Sequence, residues 1–291
     1  MPHILSNNLL AVGVHAQGAE LCSLVRHTDS REYIWQAEPI VWARHAPVLF
    51  PIVGKLRNNA YEYYGKTWYL PQHGFARDMD FKIVTESADE LVFELQQTEA
   101  TLNFYPFLFR LQISYKLAGN RLAIKYTVIN PDSEKPLYFG IGAHPGFAAP
   151  AHADESISDY YLEFEKPETL FRQNLEAGLR LPAETVPYLD NARVIALSDE
   201  IFKDDALVFA GHESAYVRLL NKRGDYSLKI EIKDFPYLGI WAKPGAPFVC
   251  VEPWYGIADT RNASPDYTVK EGNIKLEAGR EWSAEFAITV E

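Results

Sequence analysis

The chain predicts an all-β fold, a large antiparallel β-sandwich with few short helices. Three observations carry that reading. Apolar runs of roughly four to eight residues recur from end to end, several alternating with polar residues at period two. The runs are separated by Gly, Asn, Asp and Ser residues that suit tight turns. Helix-like stretches are few, while aromatic residues make up 13% of the 291 residues, enough large side chains to fill a wide core between two sheets. No Gly/Ser linker, low-complexity tract or internal repeat divides the chain, so residues 1–291 read as a single domain.

Taken in order, the runs pair into hairpins. Leu9–Val14 and Leu21–Val25 flank Ala16-Gln17-Gly18-Ala19, and Lys82–Thr85 and Leu91–Leu95 flank Ser87-Ala88-Asp89-Glu90. Phe109–Tyr115 and Leu122–Val128 flank Ala118-Gly119-Asn120. Ala215–Leu220 and Tyr226–Ile232 flank Arg223-Gly224-Asp225, an integrin-type tripeptide that reads as turn chemistry. Ala284–Val290 supplies a last strand, and Ser198-Asp199-Glu200-Ile201-Phe202-Lys203 is a short helix with Ser198 as its cap.

Composition narrows the function. The 28 Lys and Arg against 39 Asp and Glu leave a formal net charge of −11, which repels polyanions and argues against nucleic acid or an anionic membrane as partner. No apolar run approaches the ~20 residues that span a bilayer, and Met1–Asn8 has neither a basic nor a long apolar stretch. A cytoplasmic protein is expected, with Cys22 and Cys250 as buried thiols rather than a disulfide. Asn262-Ala263-Ser264 is then an unused glycosylation pattern.

Two segments share an unusual ending. Phe139-Gly140-Ile141-Gly142-Ala143 runs into His144-Pro145, and Phe248-Val249-Cys250-Val251 runs into Glu252-Pro253. Proline cannot donate to a ladder, so each strand is expected to stop there, and the preceding residue is biased toward extended backbone. One acid/base group at each of two strand ends suits proton transfer; a capped turn and a hydrogen-bonded histidine are the structural alternatives. Arg57, Gln72, His73 and Arg77 gather around Gly- and Pro-containing turns, where two guanidinium forks suit hydroxyls, carboxylates or phosphates as readily as they suit the surface. Trp241 suits stacking on a pyranose or plain core packing, and Asp205 sits where a polar turn enters a strand, ligand contact or cap. His73, His144 and Glu252 have no metal-ligand spacing, and dinucleotide, Walker, zincin and serine-hydrolase patterns are absent, so no metal is expected.

His144-Pro145 after a Gly-rich strand, Glu252-Pro253, the Arg57-Asn58 turn and His73-Gly74 together resemble the aldose 1-epimerase (galactose mutarotase) family across essentially the whole chain. Gln72-His73-Gly74-Phe75-Ala76-Arg77 and Trp241-Ala242-Lys243-Pro244 look closest to a bacterial branch with LacX-type proteins, similar to hexose-6-phosphate epimerases. The resemblance implies a β-sandwich isomerase of carbohydrate metabolism that interconverts α and β anomers, with a sugar or sugar phosphate as its small-molecule partner and no cofactor. By motif, His144 matches the general acid and Glu252 the general base. Arg57, His73 and Asp205 match positions that hold sugar hydroxyls, and Gln72 and Arg77 look like ligand positions of the phosphosugar branch. His144-Pro145-Gly146-Phe147-Ala148 departs from the His-Pro-Tyr-Phe-Asn pattern of galactose enzymes, which puts galactose preference in question. The general-acid role requires His144 to be partly protonated near neutral pH. Two competing readings are a non-catalytic carbohydrate-binding or sensing module and a hydrolase built on Asp205 and Glu252.

Overall fold

Two antiparallel sheets packed face to face form the body of the molecule. The computed structural model describes residues 1–291, the side chains of residues 182–184 apart. The larger sheet has nine strands in the order Leu179–Ala196, Tyr160–Glu176, Tyr216–Asn221, Ser227–Glu231, Glu281–Val290, Arg121–Ile129, Arg110–Ala118, Glu90–Gln96 and Lys82–Glu86. The second runs Leu207–Ala210, Tyr237–Trp241, Phe248–Tyr255, Ile141–Ala143 and Val48–Leu49, with Gly146–Ala148 also paired to Phe248–Tyr255. A separate N-terminal sheet joins His3–Ser6, Leu10–His15, Glu20–Arg26 and Arg31–Glu32. Among the described residues the one α-helix is the single turn Glu99–Leu102.

The alternation read from the sequence is the packing pattern. Leu111, Ile113, Leu122 and Ile124 of the nine-stranded sheet meet Ile141, Phe147, Leu238, Ile240, Val249 and Val251 of its partner in one apolar core. Removing these side chains from water, at roughly 25 cal/mol per Å², is the main force holding the sheets together. Residues one position out of phase turn to the other face of the second sheet. There Leu49, Val208 and Trp254 form one small cluster and Trp35, Phe248 and Cys250 another. The second sheet is therefore lined on both faces, and Glu252 belongs to the outer one.

Both prolines behave differently from the simple expectation. At Pro145 the strand breaks, between Ile141–Ala143 and Gly146–Ala148. At Pro253 it does not: Phe248–Tyr255 is continuous, and Pro253 pairs with Leu238. The register explains this. Gly142 stands opposite Trp254 and Gly146 opposite Cys250, so the missing stretch Ala143–Pro145 lies opposite Val251–Pro253. The neighbour that would have asked Pro253 for a ladder bond on that side is itself interrupted. The same register places His144 directly across from Glu252.

Smaller expectations resolve as follows. Arg223-Gly224-Asp225 is the hairpin turn, with Gly224 at φ +81° and the Asn221 side chain accepting from the backbone N–H groups of residues 224, 225 and 226. Asp199–Phe202 is a 3₁₀ turn, but Ser198 makes no side-chain cap to it. Both cysteines are free and buried.

Two glycines seat the indole of Trp254. A Cβ on Gly142 would lie 2.5 Å from Trp254 Cδ1, and one on Gly239 would lie 2.4 Å from its Cη2. The indole N–H donates to the carbonyl of Ala143 at 3.1 Å, fixing the ring beside the strand break. Gly142→Ala is expected to force the ring out of this seat and cost about 1–3 kcal/mol, read as a lower urea midpoint. A midpoint equal to wild type would show that the seat yields freely.

Candidate active site

The strand break at Pro145 opens onto a cavity of about 310 Å³ on the outer face of the second sheet. This volume lies within the range of roughly 300–1,000 Å³ typical of small-molecule sites. His144 and Glu252 form its floor, with Nδ1 of the imidazole 3.3 Å from Oε2 of the carboxyl. Neither atom has another hydrogen-bond partner among the described residues, and both side chains are nearly sealed from solvent.

Burial decides their protonation. It drives the His144 pKa down to about 3, assisted by the positive charges of Arg77 and Arg44. It holds the Glu252 carboxyl well above the usual carboxylate range, with the Asp205 charge pushing the same way. Burial thus favours the neutral imidazole and the protonated carboxyl over their charged forms. The expectation that His144 is partly protonated near neutral pH fails, because an imidazolium in this enclosure has lost its water. An imidazolium–carboxylate pair nevertheless contains the same number of protons, and one transfer across the 3.3 Å gap converts one form to the other.

The other walls come from five places. Residues Gln72-His73-Gly74 form a turn clamped to the second sheet: His73 N–H donates to Gly54 O, Phe50 N–H donates to His73 O, and Gly54 N–H donates to His73 Nδ1 at 3.1 Å. A Cβ on Gly74, at φ +73°, would lie 2.2 Å from Phe50 O, so only glycine permits this approach. His73 itself sits at φ +67°, backbone strain of the kind that accumulates at functional sites. Because Nδ1 accepts, the neutral ring carries its hydrogen on Nε2. Nε2 of the Gln72 amide lies 3.3 Å from that nitrogen. Burial, then His144, Arg77 and Arg44, hold the His73 pKa well below 6.5, so this ring is a neutral donor.

Arg77 donates through Nη2 to Gln72 O at 2.8 Å, while its buried Nε makes no hydrogen bond among the described residues and lies 3.9 Å from Asp78 Oδ2. Arg44 lies nearby, paired with Asp78 at 2.7 Å. At the opposite edge Asp205, at φ +77°, raises the Glu252 carboxyl. The cavity therefore has a cationic edge beside the histidines and an anionic edge beside the glutamate. Trp241 forms part of the wall, its ring 5.8 Å from that of His144 and edge-on to it.

Seven of the eight candidate ligand and acid/base residues, His144, Glu252, Gln72, His73, Arg77, Asp205 and Trp241, line this cavity. Arg57 is not among the lining residues. Its turn is anchored through the backbone, with Arg57 N–H donating to Asp259 Oδ2 at 2.9 Å.

Four further wall residues carry no motif of their own. Trp42 lies 5.0 Å from His144 at 31° and stacks on Phe248, on a loop tied down by Lys243 Nζ at the carbonyls of Ile40 and Val41. Trp254 lies across its two glycines. Arg180 and Gly178 come from the hairpin Tyr160–Glu176/Leu179–Ala196, whose tip closes one side of the cavity. Arg180 is buried and fully engaged, donating to Ala258 O at 2.7 Å and pairing with Glu271, so it holds the hairpin in place and leaves ligand binding to others. Lys55 donates to Ala177 O at the same tip.

Comparison with known proteins places this site in context. The sequence model of the family described as aldose 1-epimerase matches residues 3–289. The plasmid and chromosomal forms of Protein LacX from Lactococcus lactis subsp. lactis are each 31% identical over 278 residues, covering 93% of this chain and 90% of theirs. The crystal structure of a galactose mutarotase related enzyme from Lactobacillus acidophilus superposes with a TM-score of 0.96 at 37% identity, covering 100% of this chain and 97% of that one. A galactose mutarotase-like protein from Lactobacillus casei ATCC 334 superposes with a TM-score of 0.89 at 32% identity, each chain fully covered.

Proposed function

The chain belongs to the aldose 1-epimerase family, and we propose that it interconverts the α and β anomers of a hexose or hexose phosphate by acid/base ring opening, with His144 as acid and Glu252 as base. The observation that carries this reading is the buried Nδ1–Oε2 contact of 3.3 Å on the cavity floor. A binding or sensing module gains nothing from an acid and a base facing each other with no other partner.

In this mechanism the proton of the Glu252 carboxyl passes to Nδ1 of His144 as the sugar binds. The imidazolium then gives the proton on Nε2 to the ring oxygen while the Glu252 carboxylate takes the proton of the C1 hydroxyl. The bond between C1 and the ring oxygen breaks, leaving an open-chain aldehyde, a neutral imidazole and a protonated carboxyl. Rotation about C1–C2 presents the other carbonyl face, and the reversed transfers close the opposite anomer. The lowered His144 pKa makes its imidazolium a stronger acid, and the raised Glu252 pKa makes its carboxylate a stronger base. The neutral pair left after opening is the form that burial favours. His73, with its proton on Nε2, and Arg77 supply donors for the sugar oxygens, and Trp42 and Trp241 supply apolar faces for the ring. Acid and base both come from the protein, so this route calls for no cofactor.

Residues 1–291 are taken in this reading as one sugar-epimerase domain, supported by the core that draws on both sheets. No helix is long and apolar enough to cross a membrane. A cytoplasmic location is proposed on the two free, buried thiols.

His144→Ala and Glu252→Gln are each expected to slow anomer exchange by about 10²- to 10⁴-fold with the fold intact. Polarimetry with circular dichroism checks this, and wild-type rates in a folded variant would remove the mechanism.

The pH profile follows from the directions of the shifts. With His144 down at about 3 and His73 well below 6.5, neither ring changes charge near neutrality. The value of kcat/KM is expected to hold level through pH 6.5 and fall on the alkaline side, where Glu252 loses its raised proton. An acid limb centred near the ordinary histidine pKa would contradict the neutral pair.

The two guanidinium groups of Arg77 and Arg44, with Nε of Arg77 making no hydrogen bond among the described residues, favour an anionic substituent at the cationic edge, hence a hexose 6-phosphate. Exchange NMR on glucose and glucose 6-phosphate is expected to give a rate advantage to the phosphate that Arg77→Gln removes. Equal rates for the two sugars would restrict the reading to a plain hexose.

A further inference from the structure

Cys250 plays no part in the proton transfers, yet it stands against the pair that performs them. It precedes Glu252 by two residues on the same strand and faces the same side of the sheet, wholly buried among Trp35, Ala246 and Phe248. Its sulfur, a His144 ring nitrogen and a Glu252 carboxyl oxygen all lie within 4.8 Å of one another. We infer that these three side chains form a binding site for one thiophilic divalent cation, Zn²⁺ or Cd²⁺, whose occupancy switches the enzyme off.

Donor type, spacing and charge each support the site. Imidazole nitrogen, thiolate sulfur and carboxylate oxygen are the ligand set that zinc accepts. With zinc bonds of about 2.0–2.1 Å to nitrogen and oxygen, the edge of a tetrahedron is roughly 3.3 Å. The separation of His144 Nδ1 and Glu252 Oε2 is 3.3 Å. Both atoms are buried and without a hydrogen-bond partner among the described residues. The sulfur lies within 4.8 Å of both atoms, close enough to complete a three-ligand set. The fourth position then faces the cavity, where water or a sugar hydroxyl enters.

Charge balance favours occupancy. One divalent cation held by a thiolate, a carboxylate and an imidazole gives a site with no net charge, and an enclosed site resists uncompensated charge. Binding releases the protons that the ligand atoms carry. The cation takes Nδ1 and the carboxylate that ring opening needs, so metal and catalysis exclude each other.

A second group, His152, Glu155 and Asp225, lacks these properties. Glu155 already accepts from Tyr160 and Asn221, Asp225 accepts from Asn221 and pairs with His152, and Arg223 lies 3.4 Å from Glu155.

The inhibitory consequence rests on the proposed acid/base roles; the binding does not. The test is titration of the whole protein with Cd²⁺, followed by ultraviolet absorption for thiolate-to-cadmium charge transfer, beside anomer exchange with and without Zn²⁺. The expected result is a band that saturates at one equivalent, survives in Cys22→Ser and vanishes in Cys250→Ser. Zn²⁺ should abolish exchange in the wild type, with recovery on adding EDTA. Cys250→Ser should keep its exchange activity and need at least roughly tenfold more Zn²⁺ for the same loss, since removing a ligand should cost more than an outer-shell change. No band, or one unchanged in Cys250→Ser, overturns the site. Should Cys250→Ser not fold, His144→Ala takes its place: loss of tight Cd²⁺ binding supports the site and unchanged binding overturns it. A wild type that binds Cd²⁺ through sulfur but exchanges no anomers would leave the site standing and remove the proposed function instead.

Discussion

The structure depends on one interruption in one ladder. Ile141–Ala143 and Gly146–Ala148 are two pieces of a single strand laid along Phe248–Tyr255 in unbroken register. The gap between them is where His144 leaves the sheet's hydrogen-bonding plan and meets the residue across from it. Side chains directly opposite on neighbouring strands stand about 4.5–5.5 Å apart at Cβ. The sheet register therefore brings an imidazole to a carboxyl without help from flexible loops. Pro145 makes the break, and Pro253 occupies the stretch that faces it, where a missing N–H does little harm. The core behind these strands keeps Val249 and Val251 inward, which obliges Glu252 and Trp254 to face the cavity.

Much of this was legible in the sequence. Period-two alternation gave seven strands of the nine-stranded sheet to within a few residues, because those strands have one face in the core and one toward polar surroundings. The hairpin at Arg223-Gly224-Asp225 followed from turn chemistry alone. The long hairpin Tyr160–Glu176/Leu179–Ala196 gave no such signal. Its register shifts at several points between Glu163 and Leu175, and each bulge resets the alternation of faces. Arg180, at its tip, was hidden for the same reason, and so was the wall it supports.

The site was legible where motif and chemistry coincide, at His144, Glu252, His73 and Gln72, and obscure where only packing reveals a role. Nothing local marks Trp42 off from the other tryptophans; its place beside His144 comes from Lys243 holding its loop and from Phe248 beneath its ring. Arg57 shows the converse. A guanidinium in a promising turn looked like a ligand, but the turn is held by its backbone to Asp259. Protonation was the least accessible property. A histidine's ordinary pKa says nothing until the surrounding volume is known, and here burial outweighs every other influence on both His144 and Glu252.

That burial links the chemistry to the selectivity of the cavity. In water an imidazole and a carboxylate form an ion pair near neutrality; out of water the neutral tautomer wins because two separate desolvation costs exceed one attraction. A catalyst that rests in the neutral form must be brought to the charged one by its substrate. A hexose can do this by offering hydroxyl dipoles to both groups at once. The charges of Arg77 and Arg44 oppose the imidazolium form of His144, and the charge of Asp205 opposes the carboxylate form of Glu252. The two edges thus hold the pair neutral while the cavity is empty. In the proposed reaction, a sugar whose oxygens meet Arg77 and Asp205 would weaken both opposing charges and so favour the proton exchange between His144 and Glu252.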